Sequence, residues 1–216
     1  MNMLNAAPKI LIADDHPILR SGVKEILSQG MKGISISEAP TASEALRLVR
    51  NSEWDVLLLD VSMLGKGGLS VVKDIRNLRP RLPILMFSRE SSEQLALRAI
   101  ANGASGYLDK DCDPHQLTIA VKKMLEGGRY VSNSVATDLL FDLMTGSDEP
   151  VHRSLSDREF QIMLMIAAGK SVSQIGEELS LSVKTVSTYR ARLLQKMRMC
   201  TNADVIKYAV KENLIG

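Results

Sequence analysis

Cysteine is nearly absent from this 216-residue chain: Cys112 and Cys200 stand alone in opposite halves. With no spaced pair, neither a disulfide framework nor a cysteine zinc site is expected, and two idle thiols fit a reducing compartment. Histidine is as sparse, at three scattered residues, which also argues against zinc. Aromatic residues make up 4% of the chain, and the C-terminal part lacks the ring surface on which RNA bases stack. No run approaches the ~18 to 20 uninterrupted apolar residues of a membrane helix. The opening MNMLNAAPK lacks a basic region followed by an apolar core, so no secretory signal and a cytoplasmic location are expected. The formal charge is only +2, unevenly spread. From Ser154 onward nine Lys or Arg face six Asp or Glu, whereas 130–153 holds one Arg against four acids. A basic C-terminal part is compatible with nucleic acid but does not by itself define it.

Against this plain background, carboxylates sit where apolar runs end. Lys9 to Ala13 stops at Asp14 and Asp15, Val56 to Leu59 stops at Asp60, Ile84 to Phe87 stops at Ser88, and Gly106 to Leu108 is followed by Asp109 and Lys110. Short apolar runs bounded by polar residues read as buried parallel strands. In an open α/β sheet the ligand crevice lies beyond the carboxyl ends of the strands. Asp14, Asp15, Asp60, Ser88 and Lys110 are therefore expected in one pocket. Three neighbouring acids repel unless a cation joins them, and hard oxygen ligands suit Mg²⁺.

Three zones follow along the chain. Residues 8–128 alternate strand and helix five times. The helix near Pro17 should bury Ile18, Val23, Ile26 and Leu27. Thr41 to Glu44 has a capping-box pattern before Ala45, Leu46, Leu48 and Val49. Asp113-Pro114 opens the fifth helix. Five such units imply right-handed crossovers and a five-stranded parallel sheet. Residues 129–153 read as a linker, with a helix expected over 132–144. Residues 154–216 read as four short helices without a strand. Ser156 to Glu159 and Ser171 to Gln174 are capping boxes, Ser182 caps a longer basic helix, and Asn202 to Asn213 forms the last. Helix, short turn and longer helix is the helix-turn-helix arrangement.

The order and spacing of Asp14-Asp15, Asp60, Ser88 and Lys110 resemble the receiver domain of two-component response regulators, with Tyr107 at the switch-aromatic position. Leu155 to Glu159, Gly169, Ile175 to Leu179, Ser182 to Val186 and the ending at Asn213 to Ile215 resemble the LuxR-type DNA-binding domain. Together they resemble the NarL/FixJ family, nearest its GacA/UvrY-like branch. The resemblance implies a flavodoxin-like (βα)5 receiver over 8–128, a linker over 129–153 and an all-α four-helix helix-turn-helix domain over 154–216. It implies a transcription factor, not an enzyme, whose Asp60 accepts phosphoryl from a sensor histidine kinase or phosphotransfer domain. Asp15, Asp60 and the backbone carbonyl of Ser62 would hold Mg²⁺, with Asp14 acting through water. Lys110 would pair with the phosphoryl group, Ser88 would hydrogen-bond it, and Tyr107 would turn inward in response. In double-stranded DNA, Ser187, Thr188 and Ala191 would lie nearest base edges. Lys184, Thr185, Tyr189, Arg190, Arg192 and Lys196 complete that contact, the charged ones mainly toward phosphates. Val205, Ile206 and Ala209 on the last helix would pair two copies in a homodimer.

Three positions depart from the family. Leu64 replaces the proline that usually follows the methionine of the loop after Asp60, which leaves that loop less preorganised. Ala191 stands at a frequently basic position and Tyr189 at a common histidine. Two other functions are weighed against the main one. A receiver serving only as a dimerisation module would need no phosphate control, which the intact acidic set argues against. An Asp-nucleophile phosphatase would need a second acid two residues after the nucleophile, where this chain has Ser62.

Overall fold

Buried parallel strands need both faces covered, and the chain meets this with five βα units. The computed structural model describes residues 7–61, 63, 69–88, 93–131, 150–212 and 214–215. Strands β1 (Lys9–Ala13), β2 (Ser35–Ala39), β3 (Val56–Asp60), β4 (Ile84–Ser88) and β5 (Gly106–Asp109) form one parallel sheet in the order β2-β1-β3-β4-β5. Helices α1 (Pro17–Gly30), α2 (Ala42–Asn51), α3 (Leu69–Leu78), α4 (Glu93–Ala101) and α5 (Pro114–Leu125) connect and follow them. Strands β3 and β4 are buried along their whole length, as their uninterrupted apolar runs predict. One apolar cluster joins the α1 and α5 side of the sheet; a second fills the opposite side.

Local rules account for the details, including two departures. Ile18 is 89% exposed. The inward stripe of α1 runs through Leu19, Val23 and Leu27 at i, i+4 and i+8, and Ile18 is rotated about 100° away from it. At Thr41 only half a capping box forms: its hydroxyl accepts from Glu44 N at 3.1 Å, while the Glu44 carboxylate turns to Arg47. Gly106 lies so close to Tyr130 that a Cβ there would sit 2.5 Å from the Tyr130 carbonyl oxygen and 3.0 Å from Leu85. Gly106→Ala is expected to cost about 1–3 kcal/mol in urea unfolding, because backbone rather than a pliable side chain must move.

The C-terminal part is helical: a 3-10 turn (Val151–Ser154), then α6 (Asp157–Ala167), α7 (Val172–Glu178), α8 (Val183–Met197) and α9 (Asn202–Lys211). Ser156 with Glu159 and Ser171 with Gln174 close complete capping boxes. A third, Thr201 with Asp204, opens α9. Gly176 allows the tight turn between α7 and α8, where the Leu181 carbonyl oxygen lies 2.9 Å from the position of a Cβ. Met163 and Met197 are buried in this core with Met165 and Met199 against it, so the methionines are packing. The helix expected over 132–144 lies outside the described residues. No helix among the described residues is long and apolar enough to cross a membrane.

Candidate functional site

The sheet topology delivers the strand-end residues to one place. Asp14 follows β1, Asp60 ends β3, Ser88 ends β4 and Lys110 follows β5. Backbone hydrogen bonds fix these ends: Lys110 N donates to Ser88 O at 2.7 Å, and Asp14 N to Ala39 O at 3.2 Å. Lys110 Nζ then lies 2.7 Å from Asp14 Oδ2 and 2.9 Å from Asp60 Oδ2, with all three side chains 2% exposed. One ammonium thus bridges two buried carboxylates, the arrangement that makes such burial tolerable. Asp15 is half-exposed at the rim.

The β1–α1 turn is held from outside. Arg20 Nη1 donates to the Asp14 carbonyl at 2.7 Å, and its Nε pairs with Glu38 at 2.8 Å. Glu38 also takes Lys24, and the two cations hold its carboxyl below the usual range. His16 is the N-cap of α1 and also a member of the pocket. Its backbone N donates to Asp14 Oδ1 at 2.7 Å, and its Nδ1 lies 2.8 Å from Asp15 and 3.3 Å from Asp14. Its position beside Asp15 in the sequence was the available signal. Ligand atoms of Asp14, Asp15, His16 and Asp60 all lie within 4.8 Å of one another, which suits a single divalent ion. The predominance of carboxylate oxygen fits a hard cation. Ser62 and Leu64 lie outside the described residues. Tyr107 is buried, at 3% exposed.

On α8, Lys184, Ser187, Thr188, Ala191 and Arg192 are all exposed. Their spacing of three and four places them on one face. Four other expected contact residues are engaged within the protein. Thr185 is bonded to the Ser182 hydroxyl at 2.8 Å, and Tyr189 packs against the core. Arg190 donates to Asn202 at 2.6 Å, and Lys196 pairs with Glu159 at 2.6 Å. Burial pushes the Glu159 carboxyl up, but hydrogen bonds from Lys196 and Ser156 leave it below the usual range. The expected pairing surface on α9 needs correction. Val205 and Ala209 are fully buried, facing inward at i and i+4, and cannot reach a second copy. The outward stripe is Ile206 and Val210, both exposed.

The two parts touch. Arg98 of α4 reaches the 3-10 turn and the start of α6, and a cavity of about 270 Å³ lies between the parts. His16, Asp60, Ser88 and Lys110 line one wall; Phe160, Leu164 and Glu178 are among the residues of the other. Arg98 was not singled out in the sequence, where its partners lie more than fifty residues away.

An acidic pocket at the carboxyl ends of a β2-β1-β3-β4-β5 sheet, joined to a helix-turn-helix, defines a regulator with a receiver and a DNA-binding part. The family model of the response regulator receiver domain matches residues 10–122, and that of bacterial regulatory proteins of the luxR family matches 153–209. The chain belongs to the LuxR-type response regulators, which are transcription factors. Among its relatives is the response regulator UvrY of Escherichia coli K12, 34% identical over 207 residues that cover 95% of this chain and 94% of UvrY. Response regulator GacA of Pseudomonas aeruginosa is 31% identical, covering 96% and 97%. The structure of RcsB from Salmonella enterica serovar Typhimurium, bound to promoter rprA in the presence of phosphomimetic BeF3⁻, superposes with a TM-score of 0.66. Its identity is 22%, over 94% of this chain and 98% of that one, and it bears on the fold alone.

Proposed function

We propose that this protein is a phosphorylation-controlled transcription regulator in which Asp60 accepts phosphoryl from a sensor histidine kinase or phosphotransfer domain. The observation that carries this reading is the Lys110 ammonium shared between Asp14 and Asp60 in a buried pocket. An Asp60 carboxylate oxygen forms the bond to phosphorus as the donor's phosphorus–nitrogen bond breaks, and the electron pair leaves with the imidazole nitrogen. Lys110 then exchanges its contact with a carboxylate for one with the phosphoryl oxygens, where charge develops. Ser88, at the end of the neighbouring strand, supplies a hydroxyl to the same group. Asp15, Asp60 and the Ser62 carbonyl would hold Mg²⁺, with Asp14 acting through water; the ion supplies charge neutralisation on the phosphoryl oxygens. The product is a covalently modified protein rather than a released molecule, so the chain works as a switch and not as an enzyme.

The phosphorylated Asp60 carries roughly two negative charges and three acceptor oxygens. Ser88 and Tyr107 are the elements through which this change reaches α4 and β5. Residues 8–128 act as the receiver, 129–153 as linker and 154–216 as reader of double-stranded DNA in the cytoplasm. The exposed face of Lys184, Ser187, Thr188, Ala191 and Arg192 enters the major groove. Ala191 offers only a methyl, which suits a thymine methyl. A homodimer reading an inverted repeat uses Ile206 of the expected set, with Val210 in place of the buried Val205 and Ala209.

The test is DNA binding by the purified protein on a promoter library, with and without acetyl phosphate and Mg²⁺. Donor should tighten binding, and Asp60→Asn should lose both the tightening and the phosphoryl label. Undiminished labelling of Asp60→Asn would remove Asp60 as acceptor. Equal affinity with and without donor would leave the receiver as a dimerisation module.

A further inference from the structure

Arg98 makes a contact that neither phosphoryl chemistry nor DNA reading requires. Its side chain, 13% exposed, leaves α4 and enters the DNA-binding part. Nη2 donates to the His152 carbonyl at 2.6 Å and Nη1 to the Leu155 carbonyl at 2.9 Å. Nη1 also lies 3.5 Å from Asp157 Oδ1, and the guanidinium sits 4.1 Å from the centre of the Phe160 ring. Asn102, one turn further along, places Nδ2 3.4 Å from the same carboxylate oxygen, and Lys73 of α3 approaches the other at 3.4 Å. Burial pushes the Arg98 pKa down and Asp157 pulls it up, as expected of a cation removed from water and then partnered. Arginine suits this role, because its planar fork spans two carbonyls while its face stacks on a ring.

The contact covers one functional surface and spares the other. Phe160 and Leu164 of α6 and Glu178 of α7 stand across the interdomain cavity from Asp60, Ser88 and Lys110. Lys184, Ser187, Thr188, Ala191 and Arg192 of α8 remain exposed. We propose that Arg98 is a latch holding α6 and α7 over Asp60, so that the DNA-binding domain restrains phosphorylation of its own receiver while its DNA face stays open. This rests on Asp60 being the phosphoacceptor. Release follows from the same geometry. A phosphoryl group brings roughly two negative charges into a cavity that already holds Asp157 and Glu178. Lys170 pairs with Glu178 at 2.7 Å, and Arg98 and Lys73 pair with Asp157 at 3.5 and 3.4 Å, so the phosphoryl group competes for the cations that close the contact.

The experiment uses the full chain and its R98A, R98K and D157N variants. The rate of Asp60 phosphorylation by acetyl phosphate with Mg²⁺ is followed by mobility on phosphate-affinity gels, and the radius of gyration by small-angle scattering. R98A should be phosphorylated about fivefold faster or more, the low end of usual coupling between sites, with a larger radius of gyration. R98K keeps the charge but not the fork, and D157N removes only one partner, so both should fall between. The two mild variants carry the test even where R98A unfolds. Unphosphorylated R98A should bind a non-specific duplex as parent does. Equal phosphorylation rates in parent and variants would overturn the latch. So would a gain in duplex affinity without a gain in rate, which would mean that the contact hides the DNA helix instead. An Asp60→Asn control that labels as well as parent would instead remove the acceptor on which the latch rests.

Discussion

Lys110→Ala is expected to destabilise the receiver by about 3–5 kcal/mol in the absence of divalent ions, the range for removing one partner of a buried ion pair. Lys110 Nζ contacts both Asp14 and Asp60 at 2.7 and 2.9 Å, and each side chain is 2% exposed. Without the ammonium, two buried carboxylates are left side by side with no lysine between them. The loss should be partly reversed by Mg²⁺, because an ion bound only by the folded state adds its binding free energy to stability. It should also be partly reversed by Asp60→Asn in the same chain, which removes one of the two opposed charges. These reversals separate electrostatics from lost packing: a cavity left by the lysine stem would respond to neither. Urea unfolding of the parent, both single variants and the double variant, with and without Mg²⁺, gives the full cycle. A loss below about 1 kcal/mol without Mg²⁺ would place Lys110 among exposed pairs of little consequence. Phosphoryl labelling of Lys110→Ala should fall as well, since the cation that meets the developing charge is gone.

The acidic pocket was legible because two simple regularities coincide. A strand covered on both faces reads as a continuous apolar run, and the residue that stops the run sits at the crevice. Asp14, Asp60, Ser88 and Lys110 could therefore be grouped before any contact was known, and the hydrogen bond from Lys110 N to Ser88 O shows how tightly the strand ends are tied. The contact set on α8 came from the resemblance, and of its nine residues Lys184, Ser187, Thr188, Ala191 and Arg192 share one exposed face while Thr185, Tyr189, Arg190 and Lys196 are engaged within the protein. What failed was the direction of a stripe. The resemblance that supplied Val205, Ile206 and Ala209 as pairing residues does not say which of them face this chain's own core: Val205 and Ala209 are buried, while Ile206 and, beyond that set, Val210 are exposed. Ile18 failed similarly, one residue from the true stripe of α1. Arg98 was beyond reach, because nothing local distinguishes it from any other arginine on an amphipathic helix. Its meaning lies in two carbonyls and a ring contributed by the other half of the chain.

His152 should make the folded protein acid-sensitive through a single ring. It is 1% exposed, beside Phe160 and Tyr208, with Nδ1 2.8 Å from the Tyr208 hydroxyl. Nε2 is buried with no hydrogen-bond partner among the described residues. Burial, then the charges of Arg98 and Arg153, push its pKa down to about 4 from 6.5. Because the folded pKa is the lower one, the unfolded chain binds the proton first, and stability falls as pH drops through the window between the two values. Above pH 6.5 the effect vanishes; at pH 4.5 it amounts to about 2.5 kcal/mol, from 1.36 kcal/mol per pKa unit over most of the shift. Carboxylates that lose their partners contribute in the same direction, so the parent's acid slope alone does not isolate this ring. His152→Gln does, because it keeps a group able to bond Tyr208 and has no proton to gain. Urea melts of both proteins at pH 7, 5.5 and 4.5 should show a gap that shifts in favour of the variant as pH falls, by about 2.5 kcal/mol between the extremes. A constant gap would mean that His152 takes up its proton as readily in the folded state as in the unfolded one, by finding a partner when charged. A widening gap reaches the interdomain contact as well, since the His152 carbonyl is where Arg98 makes its shortest hydrogen bond and a charged imidazole beside that guanidinium would repel it.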